Sequence, residues 1–156
     1  MYDRIKDLMF AIEESDYSKD EKRGMKVDVI EKLNYFADYF NQVVRMEILA
    51  NSITTWSSSD SFLYSQMDEE RRFRHDLCVN ACEDLNQMCQ RLGIQDFYPG
   101  DVDDRHDVAA FCGVLVSNLF LHGINEERSF DDLVQEFASR DAYAPLTHID
   151  EEAFEL

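Results

Sequence analysis

Residues Asp68 to Gly93 read DEERRFRHDLCVNACEDLNQMCQRLG. Phe73, Leu77, Ala81, Leu85, Met88 and Leu92 recur at steps of three and four, which places them on one face of a helix. Cys78, Cys82 and Cys89 widen that face on one flank. An apolar arc this wide predicts a central helix with more than one neighbour. Asp68–Arg72 and Glu70–Arg74 are spaced i,i+4 with the acid first, the favourable order. Gly93 suits the position just past the helix, where a left-handed residue closes the last turn.

Toward the N-terminus, Asn51–Ser61 (NSITTWSSSDS) breaks the helical pattern, since Ser and Thr compete for backbone hydrogen bonds. Ser59 or Asp60 is the expected N-cap, with the central helix starting near Ser61. Before the break, Val27–Ala50 predicts a second long helix. Its face is Ile30, Leu33, Phe36, Ala37, Phe40, Val43, Val44 and Ile48, bordered by Tyr35, Tyr39 and Met46. Glu47 falls inside that arc and needs a partner or partial access to water. Met1–Ser15 predicts a short amphipathic helix through Ile5, Leu8, Met9 and Ile12. Asp16–Gly24 is a connection or the first exposed turn of the next helix.

Toward the C-terminus, Ile94–Asp104 (IQDFYPGDVDD) is the main loop. Pro99-Gly100 signals a turn in which glycine accepts positive φ. Phe97 and Tyr98 are expected to anchor the loop, and Asp103 or Asp104 to cap the following helix. Arg105–His122 is apolar nearly all round, as expected of a helix buried on several sides and ended by Gly123. Ser129 opens a short helix to Arg140, with Asp132 as the third position of a variant capping box. Its apolar face is Phe130, Leu133, Val134 and Phe137. The acidic tail Asp141–Leu156, interrupted by Pro145, is either docked or mobile.

The expectation is therefore an all-α, single-domain bundle of four to five helices over residues 1–156. Composition agrees: 156 residues, 45% hydrophobic and 31% charged, with five Gly and two Pro. The net charge of −18 disfavours direct nucleic-acid binding and anionic membranes. It permits contact with basic protein surfaces. No apolar run is long enough to span a membrane, and no signal-peptide pattern is expected at the N-terminus. Four cysteines without CxxC give no disulfide framework and suit a reduced cytoplasmic protein.

Arg71-Arg72 with His75, then Cys82 with Leu85-Asn86, then Leu92-Gly93 and a hydrophobic-acidic loop resemble a family of short, acidic, all-helical bacterial proteins classed as a domain of unknown function. The resemblance spans roughly Glu70 to His122. It implies a small cytosolic bacterial protein and carries over no catalytic residue.

Three sets of residues have the types that could carry chemistry. His75, His106, Asp107 and Asp131 follow the order of His-Asp metal phosphohydrolases, whose imidazole and carboxylate ligands hold a water-activating metal. Asp107 has an ordinary role at a helix start, however. His75, Cys78, Cys82, Cys89 and Cys112 could supply zinc ligands, but lack knuckle spacing and read better as core. Asp101, Asp103 and Asp107 open a calcium-like loop that fails at Arg105, His106 and Cys112. His122, near a helix end, has a structural reading. No Glu-x-x-His, Gly-rich phosphate loop or GxSxG elbow occurs.

No catalytic, cofactor or metal residue is assigned on these grounds. The favoured reading is a non-enzymatic helical protein acting through protein–protein contacts, including self-association as a homodimer. One alternative is an inhibitor that mimics nucleic acid, using the carboxylates around Asp101–Asp107, Glu126–Asp132 and Asp150–Glu155. The other is a metal-dependent phosphohydrolase-like enzyme.

Overall fold

The computed structural model describes residues 2–120, 129–140 and 144–146. Among them are five α-helices: α1 (Tyr2–Glu13), α2 (Lys19–Ser52), α3 (Ser58–Arg91), α4 (Arg105–Phe120) and α5 (Phe130–Ala138). The fold is all-α, a helical bundle of the expected size. No helix of the described residues is long and apolar enough to cross a membrane.

Each long helix begins on a serine. Ser18 and Ser57 accept hydrogen bonds from the backbone N–H groups of Glu21 and Asp60, whose carboxylates bond back to the serine N–H groups. These reciprocal boxes satisfy donors that a helix start otherwise leaves open. They decide one boundary and correct another. Of the two readings of Asp16–Gly24, the run from Lys19 is the exposed start of α2, and α3 begins at Ser58, with Asp60 serving as third residue rather than cap. At the far end of α3, Gly93 has φ +71°; its N–H reaches the Gln90 carbonyl, and the Ile94 N–H reaches that of Cys89. This is a Schellman closure.

α2 and α3 have 34 residues each, hence a length of about 51 Å at the standard helical rise. They lie antiparallel: Lys32 meets Asp84, Cys78 donates to the Tyr35 carbonyl, Arg74 to the Asp38 carbonyl and Gln42 to the Met67 carbonyl. As one residue number rises its partner's falls. The core draws on every helix and is built around Leu33, Phe36, Phe40, Leu85, Leu115 and Phe137. α1 is tied on by Glu13 pairing with Lys26 and by Arg4 donating to the Phe97 carbonyl (2.9 Å). α4 enters through Cys112, whose thiol donates to the Phe36 carbonyl, and through Phe111 edge-on to Phe36. α5 closes on α2 through Phe137 and Phe130 against Phe40. Gly113 of α4 lets α5 approach that helix closely, because a Cβ there would lie 3.1 Å from the Phe130 Cα.

The inward face of α3 is turned from the expected one. Its buried residues are His75, Cys78, Ala81, Cys82, Leu85, Met88 and Cys89, so the cysteines occupy the centre of the face. Leu77 and Leu92 are half-buried, and Phe73 is 63% exposed. The reason is coverage: α4 and α5 do not extend the core beyond Met46 of α2 and His75 of α3. Between those two residues, no position in 47–74 is buried.

Two asparagines hold chain segments against the bundle. Asn86 donates to the Tyr98 carbonyl and accepts from the Tyr98 N–H, both at 2.8 Å. This pins the α3–α4 loop, with Phe97 and Tyr98 buried as expected. Asn41 makes the same paired contact with Leu146 (3.0 and 2.9 Å), so the tail docks at that residue. Asp104 accepts from the His106 and Asp107 N–H groups and caps α4; Ser129 caps α5 by accepting from Asp132. Gly100 does not adopt positive φ. It leaves room for Tyr98 instead, whose hydroxyl would lie 2.7 Å from an added Cβ. α5 ends at Ala138, two residues short of Arg140. His122, Gly123 and most of the tail fall outside the described residues.

Candidate functional site

His75 is the residue that packing alone explains least. It is 3% exposed on α3, and among the described residues neither ring nitrogen has a partner in good hydrogen-bonding geometry, the Arg105 carbonyl being near enough only to favour the charged form. The Tyr39 ring of α2 stands edge-on to it at 5.3 Å and is itself stacked on Phe130 of α5 (5.6 Å). Burial lowers the imidazole pKa, and the Arg105 and Arg71 guanidinium groups add to the effect. The Arg105 backbone carbonyl and the Asp76 carboxylate oppose it but do not prevail. Desolvation disfavours the charged form in such a place. His75 is therefore a neutral imidazole in an aromatic wall. Burial likewise pushes the Tyr39 hydroxyl up to about 12, although Arg71 beside it pulls the other way.

The remaining His-Asp candidates are not gathered around it. His106 and Asp107 are exposed on the first turn of α4, and Asp131 is exposed on the first turn of α5. Among the described residues, no three His, Cys, Asp or Glu side chains are placed to hold a metal ion. This covers both the His-Asp set and the cysteine set. In the acidic loop, the Asp101 carboxylate accepts from the Asp103 N–H, and Asp104 is spent on capping α4. These carboxylates shape the turn by satisfying backbone donors.

The four cysteines are buried and unbridged. Burial raises the thiol pKa of each, to about 12 for Cys82 and well above the ordinary value for Cys78 and Cys112. A nucleophilic or metal-binding cysteine needs the thiolate, which these surroundings suppress. The native protein is accordingly expected to resist a thiol-specific disulfide reagent and to release four equivalents of thiol only on denaturation. Fast labelling of any one cysteine in the folded state would contradict this.

Glu47 found the partner its position required: Gln135 of α5 donates to its carboxylate at 2.8 Å. Lys32 lies between Asp28 (3.7 Å) and Asp84 (3.3 Å). Burial would lower its pKa, but the two carboxylates more than compensate and raise it. Both the Asp68–Arg72 and Glu70–Arg74 pairs form, and Asp68 also takes Arg71 at 2.8 Å. Such exposed pairs contribute little to stability individually.

A cleft of about 980 Å³ lies between α1 and the end of α3, lined by Phe10, Tyr17, Arg91 and Ile94 among others. His75, His106, Asp107 and Asp131 do not line it. Its Arg4 is committed to the Phe97 carbonyl, and its carboxylates, Asp7, Glu14, Asp16 and Asp96, are mixed with the arginines. Cys89 and Ser15 also line it, but burial raises the Cys89 thiol pKa and the Ser15 hydroxyl donates to the Ile12 carbonyl.

The uncovered end of the α2–α3 hairpin was not singled out from sequence. Trp56, Phe62, Leu63 and Phe73 are 40%, 65%, 46% and 63% exposed there. Trp56 stands edge-on to Tyr64 (5.5 Å). A signal was present: residues 48–67 contain a single charged residue, Asp60, in a chain that is 31% charged. Comparison with protein-family models, curated proteins and solved structures finds no match for this chain.

Proposed function

We propose that this chain is a non-enzymatic helical protein that works through contacts with protein surfaces. The observation that carries the reading is the hairpin end, where 28 consecutive residues, 47–74, contain no buried position yet display Trp56, Phe62, Leu63 and Phe73. Large apolar side chains gathered on an exposed surface mark interaction sites in soluble proteins. Aromatic residues are the side chains that most often anchor such contacts. The suppressed thiols and the capping carboxylates support the same reading, because each has a structural use. Four unbridged cysteines support a reducing compartment, the cytoplasm.

The test uses the chain immobilised beside its Phe62→Ser/Phe73→Ser variant, at a salt concentration that screens surface charge. The wild type should retain a polypeptide in stoichiometric amount, either a different protein or its own soluble copy, and the variant should release it. A wild-type chain that retains neither would overturn the reading.

A further inference from the structure

We infer that the exposed face of α3 is a self-association surface, on which a second copy of the chain lies antiparallel across Phe62, Gln66, Glu69 and Phe73. This deepens the protein-contact reading above and rests on it. The four residues are all exposed and lie on one face, at steps of four, three and four. Those steps form the narrow seam of a helix–helix contact. Both the steps and the order of chemistry, aromatic–polar–polar–aromatic, read the same in either direction. A two-fold axis between Gln66 and Glu69 therefore sets Phe62 of one copy against Phe73 of the other at both ends of the contact. It also sets the Gln66 amide, a donor, against the Glu69 carboxylate of the second copy. A symmetric dimer needs such a self-complementary patch.

Charge favours the same place. Residues 48–76 hold five of the chain's 33 acids and three of its 15 bases. Nearly all of the −18 lies elsewhere, where two copies repel. Asp60, the one charge in residues 48–67, is turned onto the Ser57 N–H. Of the bases, Arg71 and Arg72 are paired with Asp68, and Arg74 with Glu70. Two copies thus bring little net charge together here, and Glu69, which has no salt bridge among the described residues, meets the Gln66 amide of the second copy.

Size fits as well. Phe62 and Phe73 are separated by about 16 Å along the axis. With Leu63 on one flank, the exposed aromatic and leucine surface is on the order of 350 Å² per copy. That is roughly half of the ~800 Å² each partner contributes to a standard interface. The polar seam and the serine-rich flank must supply the rest, which implies a dimer that forms in the micromolar range.

Sedimentation equilibrium of the full chain, from low to high micromolar, should show monomers converting to dimers. Phe62→Ser/Phe73→Ser should weaken dimerisation by about tenfold or more, the size of one lost anchor contact. Gln66→Lys should tighten it by placing an ammonium opposite Glu69, and Gln66→Glu should weaken it. Position 66 is exposed in the monomer, and circular dichroism checks that each variant folds. A monomeric wild type at high micromolar overturns the inference, as does a dimer indifferent to every variant. Weakening by both Gln66 variants overturns the antiparallel register, because a parallel pair would bring residue 66 against itself. A monomeric chain that still retains a different polypeptide in the immobilisation experiment overturns this inference alone and leaves the broader reading standing.

Discussion

Replacing Phe40 by alanine is expected to cost the fold about 3–5 kcal/mol, the range for truncating a buried phenylalanine. Phe40 is fully buried on α2, and the rings of Phe130 and Phe137 stand edge-on to it at 5.9 and 5.2 Å. These are the two aromatic anchors of α5. That helix has nine residues, too few to be stable without tertiary packing. The loss should therefore appear first in α5. Urea denaturation gives the magnitude, and amide hydrogen exchange gives the location, with α5 amides losing protection before those of α2 or α3. A loss below about 1 kcal/mol with α5 protection unchanged would show that other contacts hold this helix. Phe130→Ala should cost less, because Phe130 is only half-buried.

Acidification should weaken the fold through His75, and His75→Leu should remove that sensitivity. Burial holds the folded imidazole below its ordinary value of 6.5. As pH falls through 6.5 the unfolded chain binds a proton that the folded chain does not. The contribution of His75 is thus complete above the unfolded pKa and is lost below it, until pH reaches the folded pKa. The slope cannot exceed about 1.4 kcal/mol per pH unit for one group. At neutral pH, His75→Leu removes two buried nitrogens without a well-formed hydrogen bond, and it should stabilise by about 1–3 kcal/mol, the usual cost of such groups. Denaturation midpoints measured from about pH 7 down to pH 5, where histidine is the group that titrates, should diverge between the two proteins. Parallel curves would assign the pH response to another residue.

Much of the bundle was legible because helices announce themselves locally. Gly93 at the end of α3, Asp104 before α4 and Ser129 before α5 act through bonds to residues within a few positions, so the spacing of types suffices to find them. The serine boxes show where this reading weakens. Ser18 and Glu21 stand three apart, but the run between Asp16 and Gly24 has no apolar residue after Tyr17 to mark a helical face. Near Trp56, three consecutive serines precede Asp60, and only the folded backbone selects Ser57 as the cap. Asn41 and Asn86 were missed for a different reason. Their partners, Leu146 and Tyr98, lie 105 and 12 residues away, and no local pattern connects them. An asparagine among apolar residues was the available signal, but it does not name what the side chain will hold.

The face of α3 shows the limit most clearly. Cysteines and leucines together describe an apolar arc wider than one neighbour can cover, so periodicity alone did not say which part of it turned inward. α2 and α4 meet the arc at Cys78, Cys82 and the residues beside them, and the core ends at His75. Phe73, two residues beyond, is left in solvent and becomes part of the surface proposed for self-association. By itself, then, the sequence determined the helices, most of their ends and the all-α class, because hydrogen bonding and side-chain spacing within a helix reach only about four residues. Tertiary structure decided which aromatic side chains are core and which are surface, because burial depends on neighbours that arrive from distant parts of the chain.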